Sequence, residues 1–194
     1  MKRTETNTDV LCRIEDSPVI AAIREEGELA EAVSSSVGAV FLLHADIFNI
    51  TRQINYIKES GKSALIHIDF LEGIGSDHRA IDYIYEAIKP DGIISTRSTS
   101  VKYAKGIGLF AVQRFFIVDS LSIENLFKTV HTTQPDMIEV MPGIMPGVIR
   151  KITGQLKLPL IAGGLIADKS NIYEALSAGA VGVSTSNREL WKSV

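Results

Sequence analysis

The sequence holds one cysteine, Cys12, so it offers no pair for an internal disulfide and no second thiolate for a Cys-based zinc site. No run approaches the ~18 uninterrupted apolar residues of a membrane span. The first nine residues are polar and lack the apolar core of a signal peptide. A cytoplasmic protein is the resulting expectation. Positive charge is not in surplus: 20 basic against 23 acidic residues leave a formal charge of −3, which argues against a generic nucleic-acid coat. The basic residues are scattered, and their closest grouping is Arg97, Lys102 and Lys105. His44, His67, His78 and His131 form no close pair at metal-ligand spacing. There is no P-loop and no Gly-x-Ser-x-Gly elbow. No metal or cofactor is expected.

What is present is an ordinary globular composition, 45% hydrophobic and 22% charged, over 194 residues, enough for one domain with a sizeable core. Residues 1–16 read as a polar lead-in with a short helix around Val10-Leu11. From 17 to 194 short apolar runs alternate with helical periodicity. Strands are predicted at 17–23, 37–43, 63–68, 92–95, 115–118, 137–140, 158–162 and 182–184. The third run, for instance, precedes a helix capped by Ser76 with Ile81, Ile84, Tyr85 and Ile88 on one face. A helix end, Pro-Asp and an apolar run occur together twice, at Pro90-Asp91 and Pro135-Asp136, as repeating βα units would have them. Strict alternation means a parallel sheet, and eight units favour closure into a small (β/α)8 TIM barrel of one domain. An open doubly wound sheet is the runner-up, weakened because no Gly-x-Gly-x-x-Gly turn follows strand one.

Barrel chemistry gathers at the C-terminal ends of the strands. Strands seven and eight break into Gly163-Gly164 and Thr185-Ser186, each before a helix. Glycines and helix starts expose main-chain N–H donors, so this pair of turns reads as a phosphate grip. Tight packing of short turns is the plainer alternative. His67 and Asp69 close strand three on one face of the chain, either as a mouth pair or as an interior histidine beside a loop-capping carboxylate. Arg97 follows strand four, placed to fork onto an anion or to sit in solvent. Arg114 opens strand five, at the barrel bottom or inside it. Glu139 lies within apolar strand six and needs a partner, either Arg114 or a ligand's hydroxyls. Pro142-Gly143 offers bare backbone at the mouth. No lysine ends a strand, so a Schiff-base aldolase would lack its nucleophile.

Several strings recur in an ordered set: His67-Ile68-Asp69-Phe70-Leu71-Glu72-Gly73-Ile74, Gly92-Ile93-Ile94-Ser95-Thr96-Arg97-Ser98 and Gln113-Arg114-Phe115-Phe116-Ile117-Val118-Asp119-Ser120. Pro135-Asp136-Met137-Ile138-Glu139-Val140-Met141-Pro142-Gly143, Ala162-Gly163-Gly164-Leu165-Ile166 and Thr185-Ser186-Asn187-Arg188-Glu189-Leu190-Trp191 continue it. In this order the chain resembles the glycerol uptake operon antiterminator family of bacteria. One departure is Ala21, where members of that family tend to have proline. The resemblance implies a (β/α)8 barrel that senses glycerol 3-phosphate, acts on the leader of a messenger RNA and performs no catalysis. It places the phosphate on Gly163, Gly164, Thr185 and Ser186, with Asp69, Arg97, Glu139 and Gly143 as polar mouth residues. RNA contact would draw on Arg97, Lys102, Lys105 and Arg188. A homo-oligomer is compatible with the sequence. The competing expectation is a barrel enzyme, an isomerase or lyase acting on a small phosphorylated metabolite with Asp69 or Glu139 as base.

Overall fold

The computed structural model describes residues 2–192. Eight parallel strands close into a barrel: β1 (Val19–Ile23), β2 (Ala39–Leu42), β3 (Ser63–His67), β4 (Gly92–Ser95), β5 (Phe110–Phe116), β6 (Met137–Met141), β7 (Leu160–Gly163) and β8 (Gly182–Thr185). The order around the ring is β1, β8, β7, β6, β5, β4, β3, β2, and β1 closes on β8 with Val19 opposite Val183. Helices α1 (Lys2–Asp16), α2 (Leu29–Ser34), α3 (Ile50–Glu59), α4 (His78–Tyr83), α5 (Ser98–Gly106), α6 (Ser120–Thr133), α7 (Pro146–Thr153) and α8 (Lys169–Ser177) precede and alternate with the strands. A 3-10 turn, Arg188–Lys192, follows β8. Ala45–Asp46 and Leu71–Glu72 pair as a small ribbon apart from the barrel.

Alternation along each strand sorts the core into two sets. Ala64 and Ile66 of β3, Ala111 of β5 and Ile138 of β6 face the helix layer. Leu65, Phe110, Val112, Met137 and Ile161 fill the barrel interior with Phe41 and Ile20. Two residues further along the same strands, on the same inward side, come His67, Arg114, Glu139 and Gly163, and Ser184 follows Gly182 likewise. All five are buried. The apolar interior therefore ends in a polar layer towards the mouth.

The N-terminal stretch is a fifteen-residue helix, longer than the short helix expected around Val10-Leu11. Its Val10 and Ile14 join the interior cluster. A Cβ on Gly182 would stand 2.8 Å from the Ile14 side chain, and one on Gly38 would overlap the Arg13 carbonyl. Both glycines lie at the N-terminal ends of strands, so α1 seals the barrel floor. The apolar spacing of four, Val10 to Ile14, carries the seal despite the polar residues around it.

Strand five is displaced from its expected position at 115–118. It runs Phe110–Phe116, and Phe116 and Val118 are exposed. Gln113 and Arg114 interrupt the apolar run, yet both point into buried polar contacts instead of ending the strand. Arg114 thus moves from the strand's start towards its C-terminal end. The cap of α4 is Asp77, which accepts from the Ala80 N–H at 2.9 Å, in place of Ser76. Because α1 supplies interior contacts at the floor, Ile14→Ala is expected to lower unfolding free energy by about 2–5 kcal/mol. Urea denaturation measures this, and a loss below ~0.5 kcal/mol would show that α1 is not part of the core.

Candidate ligand site at the barrel mouth

The polar layer is organised by one carboxylate. Glu139 is 0% exposed; its Oε2 accepts from Arg114 Nε at 2.6 Å and its Oε1 accepts from Ser184 Oγ at 2.6 Å. Arg114 is itself only 5% exposed. Removing one member of such a pair strands a buried charge, at a cost of about 3–5 kcal/mol. Gly163 belongs to this arrangement, since a Cβ there would lie 2.5 Å from Glu139 Oε1 and 2.6 Å from Ser184 Oγ. Arg114 Nη2 remains buried without a protein acceptor. Beside it lies His67, 1% exposed, with neither ring nitrogen hydrogen-bonded. Its ring packs 4.6 Å from that of Phe70.

Above the layer is a cavity of about 90 Å³. Arg114, Ser184 and Ala22 contribute from the strands, and the walls are the 164–166 turn, Thr185, Ser186 and Arg24. Among the described residues, no protein acceptor meets the main-chain N–H groups of Gly164, Leu165 or Ser186. Gly164 and Leu165 both have positive φ, 76° and 61°. For leucine that conformation costs roughly 1–2 kcal/mol, and its side chain is 71% exposed. The turn spends backbone strain and an exposed apolar side chain to present its amides. The guanidinium of Arg24, directly after β1, has no salt-bridge partner among the described residues, while the main-chain N–H of Arg24 donates to Glu28 Oε2 at 2.9 Å. A larger groove of about 770 Å³ between α2 and α3 is walled by helix side chains and the β2–α3 loop, away from this cavity.

The expected site residues separate into three groups. Gly164 and Ser186 stand at the cavity with open amides. Thr185 borders it, but its hydroxyl donates to the Ile166 carbonyl and accepts from the Asn187 N–H, so it braces the two turns together. Gly163 and Gly143 are packing positions: the Gly143 N–H donates to the Gly164 carbonyl at 3.1 Å, and a Cβ would lie 2.8 Å from Gly163 N. Glu139 is fully engaged by protein donors and does not line the cavity. Ala21 faces the helix layer, and its neighbour Ala22 borders the cavity.

Asp69 and Arg97 lie across the mouth, on the β3–β4 side. Asp69 accepts from Ser95 Oγ at 2.6 Å and from the Thr96 N–H and hydroxyl at 2.8 and 2.7 Å. Burial raises its pKa, but these hydrogen bonds and the nearby His67 outweigh that and hold it below the usual carboxylate value. Arg97 bonds Ser76 and stands 4.0 Å from Asp69. The four proposed RNA-binding residues do not share a face. Arg97 follows β4 and Arg188 follows β8, four strands apart in a ring of eight. Arg188 is held by Glu28 and Glu31. Lys105, in the last turn of α5, pairs with Asp136 at the opposite, N-terminal end of the barrel, and Lys102 is exposed on the same helix. Arg24, Arg114, Ser184 and the Leu165 amide were absent from the expected site. The position of Arg24 one residue past a strand end was the legible signal.

A single-domain parallel barrel with open amides on its last two βα turns has the arrangement that such barrels use for phosphate. The chain belongs to the glycerol-3-phosphate responsive antiterminator family, whose model matches residues 19–191. It is 39% identical over 178 residues to YgcP of Escherichia coli (strain K12), covering 92% of this chain and 93% of that one. It superposes with a TM-score of 0.87 and 33% identity on the glycerol uptake operon antiterminator regulatory protein of Listeria monocytogenes, covering 91% and 95% of the two chains. A glycerol uptake operon antiterminator-related protein of Thermotoga maritima gives 0.81 and 33%, covering 90% and 98%.

The histidine of the polar layer makes stability depend on pH. Burial, and then the charge of Arg114, push His67 down to about 4 against the pull of Asp69. An unfolded histidine takes up its proton near ~6.5. Between those values the unfolded chain binds a proton that the folded chain refuses, so stability falls with acid. The contribution is present in full above ~6.5 and lost below about 4, a span of about 3 kcal/mol. In His67→Phe, urea midpoints measured through this window should lose that slope; an unchanged slope would assign the acid sensitivity to other groups.

Proposed function

We propose that this chain is a glycerol 3-phosphate sensor that controls transcription through a leader messenger RNA and does no chemistry on its ligand. The observation that carries the reading is the set of open N–H groups of Gly164, Leu165 and Ser186 around a cavity flanked by the unpaired guanidinium of Arg24. A phosphate ester carries close to two negative charges at neutral pH and several acceptor oxygens. Converging amides and a guanidinium match both. The two carboxylates that an enzyme would use as a base are engaged: Glu139 by Arg114 and Ser184, Asp69 by Ser95 and Thr96. That favours affinity without turnover. The family's own description supports glycerol 3-phosphate as the effector, and the names of the Listeria and Thermotoga relatives support the antiterminator role. With no helix among the described residues long and apolar enough to cross a membrane, the proposed setting is the cytoplasm.

A sensor responds only through unequal affinity for its two states. The strained 164–165 turn is the element we assign to that response, because ligand contact acts on it directly. RNA binding then needs a surface other than the four scattered basic residues taken together.

Two measurements test the reading. Calorimetry should show glycerol 3-phosphate binding to the whole chain, weakened about 10–100-fold in Arg24→Gln through loss of one charge-assisted contact. Absence of binding would remove the sensor. Leader RNA should bind in a ligand-dependent and salt-sensitive manner. Ligand binding without any effect of ligand on RNA would keep the sensor and discard the antiterminator mechanism.

A further inference from the structure

The outer wall of the barrel carries a knob beside a hole. Phe48, in the loop between β2 and α3, is 95% exposed. The groove between α2 and α3 opens next to it, about 770 Å³ in volume, with Leu29 and Ala30 on one wall and Tyr56 on the other. A single exposed apolar side chain is ordinary, but one standing beside an unfilled apolar groove marks an interaction surface. The loop that carries the ring is fixed. Asp46 Oδ1 accepts from the Phe48 N–H at 2.7 Å and from the Asn49 N–H at 3.0 Å, and Asn49 Oδ1 accepts from the Asp46 N–H at 3.1 Å. Phe48 is therefore presented on an ordered backbone, which lowers the entropy lost on docking.

The groove is also chemically incomplete. Gln53 borders it, is only 3% exposed, and its Oε1 has no hydrogen-bond partner. A buried amide oxygen without a donor is costly. The terminal torsion of a glutamine is soft, so this amide can turn to a donor seated in the groove. The rim holds both signs of charge. Arg52 is held by Glu26, while Glu59 has no ion-pair partner among the described residues.

The occupant must bring an exposed apolar knob, a hydrogen-bond donor and charges of both signs. The same face of a second copy has all three, with the exposed Asn55 amide and the half-exposed Tyr56 hydroxyl as donors. A knob and hole on different faces would build an open string of copies. Side by side on one face, they close about a two-fold axis. An aromatic side chain buries about 150–250 Å². Two Phe48 rings can thus form the core of an interface that needs about 800 Å² from each partner, with α2 and α3 supplying its surround.

We propose that this face is a two-fold interface with a second copy of the chain, in which Phe48 of each copy enters the α2–α3 groove of the other. The surface lies on the outer wall, apart from the mouth cavity, and does not depend on the phosphate reading.

Sedimentation velocity on the whole chain tests it. The wild-type protein should run at twice the 21.2 kDa of one chain. Phe48→Ser removes the knob and should raise the dissociation constant about 30–1,000-fold, as loss of a central aromatic anchor does, with an unchanged far-ultraviolet circular dichroism spectrum. Ala30→Arg plugs the groove from an exposed position and should weaken association likewise. Mixed together, the two variants should associate more tightly than either does alone, because each unlike pair keeps one intact knob and one intact groove. A wild-type chain that stays monomeric up to ~100 μM overturns the proposal and leaves the groove to an occupant of another kind. A folded Phe48→Ser that dimerises as tightly as wild type overturns it too, by moving the interface elsewhere. So does a mixture no more associated than its components, or a mass that climbs past the dimer with concentration.

Discussion

The mouth of this barrel depends on a single buried carboxylate. Glu139 joins β5 to β8 through Arg114 and Ser184, and it is fully enclosed. Three sequence features follow from it. An arginine must interrupt the apolar run of β5, a serine must face inward from β8, and residue 163 must lack a side chain because the carboxylate and the serine hydroxyl occupy its Cβ position. The guanidinium is held as a rigid floor because its Nε is tied at 2.6 Å.

That floor divides the mouth into unlike halves. On the β3–β4 side the polar groups satisfy one another: Asp69 collects three donors, and Arg97 reaches Ser76 and Asp69. On the β7, β8 and β1 side the donors are left open, with Gly164 and Leu165 turned to positive φ. A self-satisfied half is stiff and electrically quiet, whereas an open half is incomplete without a ligand. Binding energy in the proposed sensor is therefore concentrated on two adjacent turns. Thr185 links those turns through the Ile166 carbonyl, and Trp191 fixes the second by donating to the Thr185 carbonyl at 2.9 Å. Hydrogen bonds thereby tie the two turns to each other and to the 3-10 turn that follows β8.

The eight-fold βα plan was legible in the chain because each parallel strand is buried on both faces and so reads as a short apolar run. The polar layer was less legible for the same reason in reverse. Gln113 and Arg114 look like the edge of a strand when they lie within it, Gln113 turned outward to Ser98 of α5 and Thr133 of α6 and Arg114 inward to Glu139, and that moved β5 and misplaced Arg114. Helix α1 was hidden by polar residues that surround two buried positions among its described side chains, Val10 and Ile14. Glycine was the most ambiguous letter. Gly143, Gly163 and Gly164 look alike in sequence, yet the first two make room for protein atoms and the third adopts a positive φ beside an open amide. Which atom needs the space is settled by neighbours from other strands, and no local pattern records them. Arg24 is weakly marked in the sequence although it occupies a strand end, because a lone arginine after an apolar run has no distinguishing neighbours.

A crystal structure of the whole chain grown with glycerol 3-phosphate tests the central claim most directly. The account places the phosphate oxygens within ~3 Å of the amide nitrogens of Gly164, Leu165 and Ser186, with the Arg24 guanidinium against them. It would be contradicted by a phosphate bound elsewhere, or by those amides turning inward to protein carbonyls while the ligand sits in another part of the mouth.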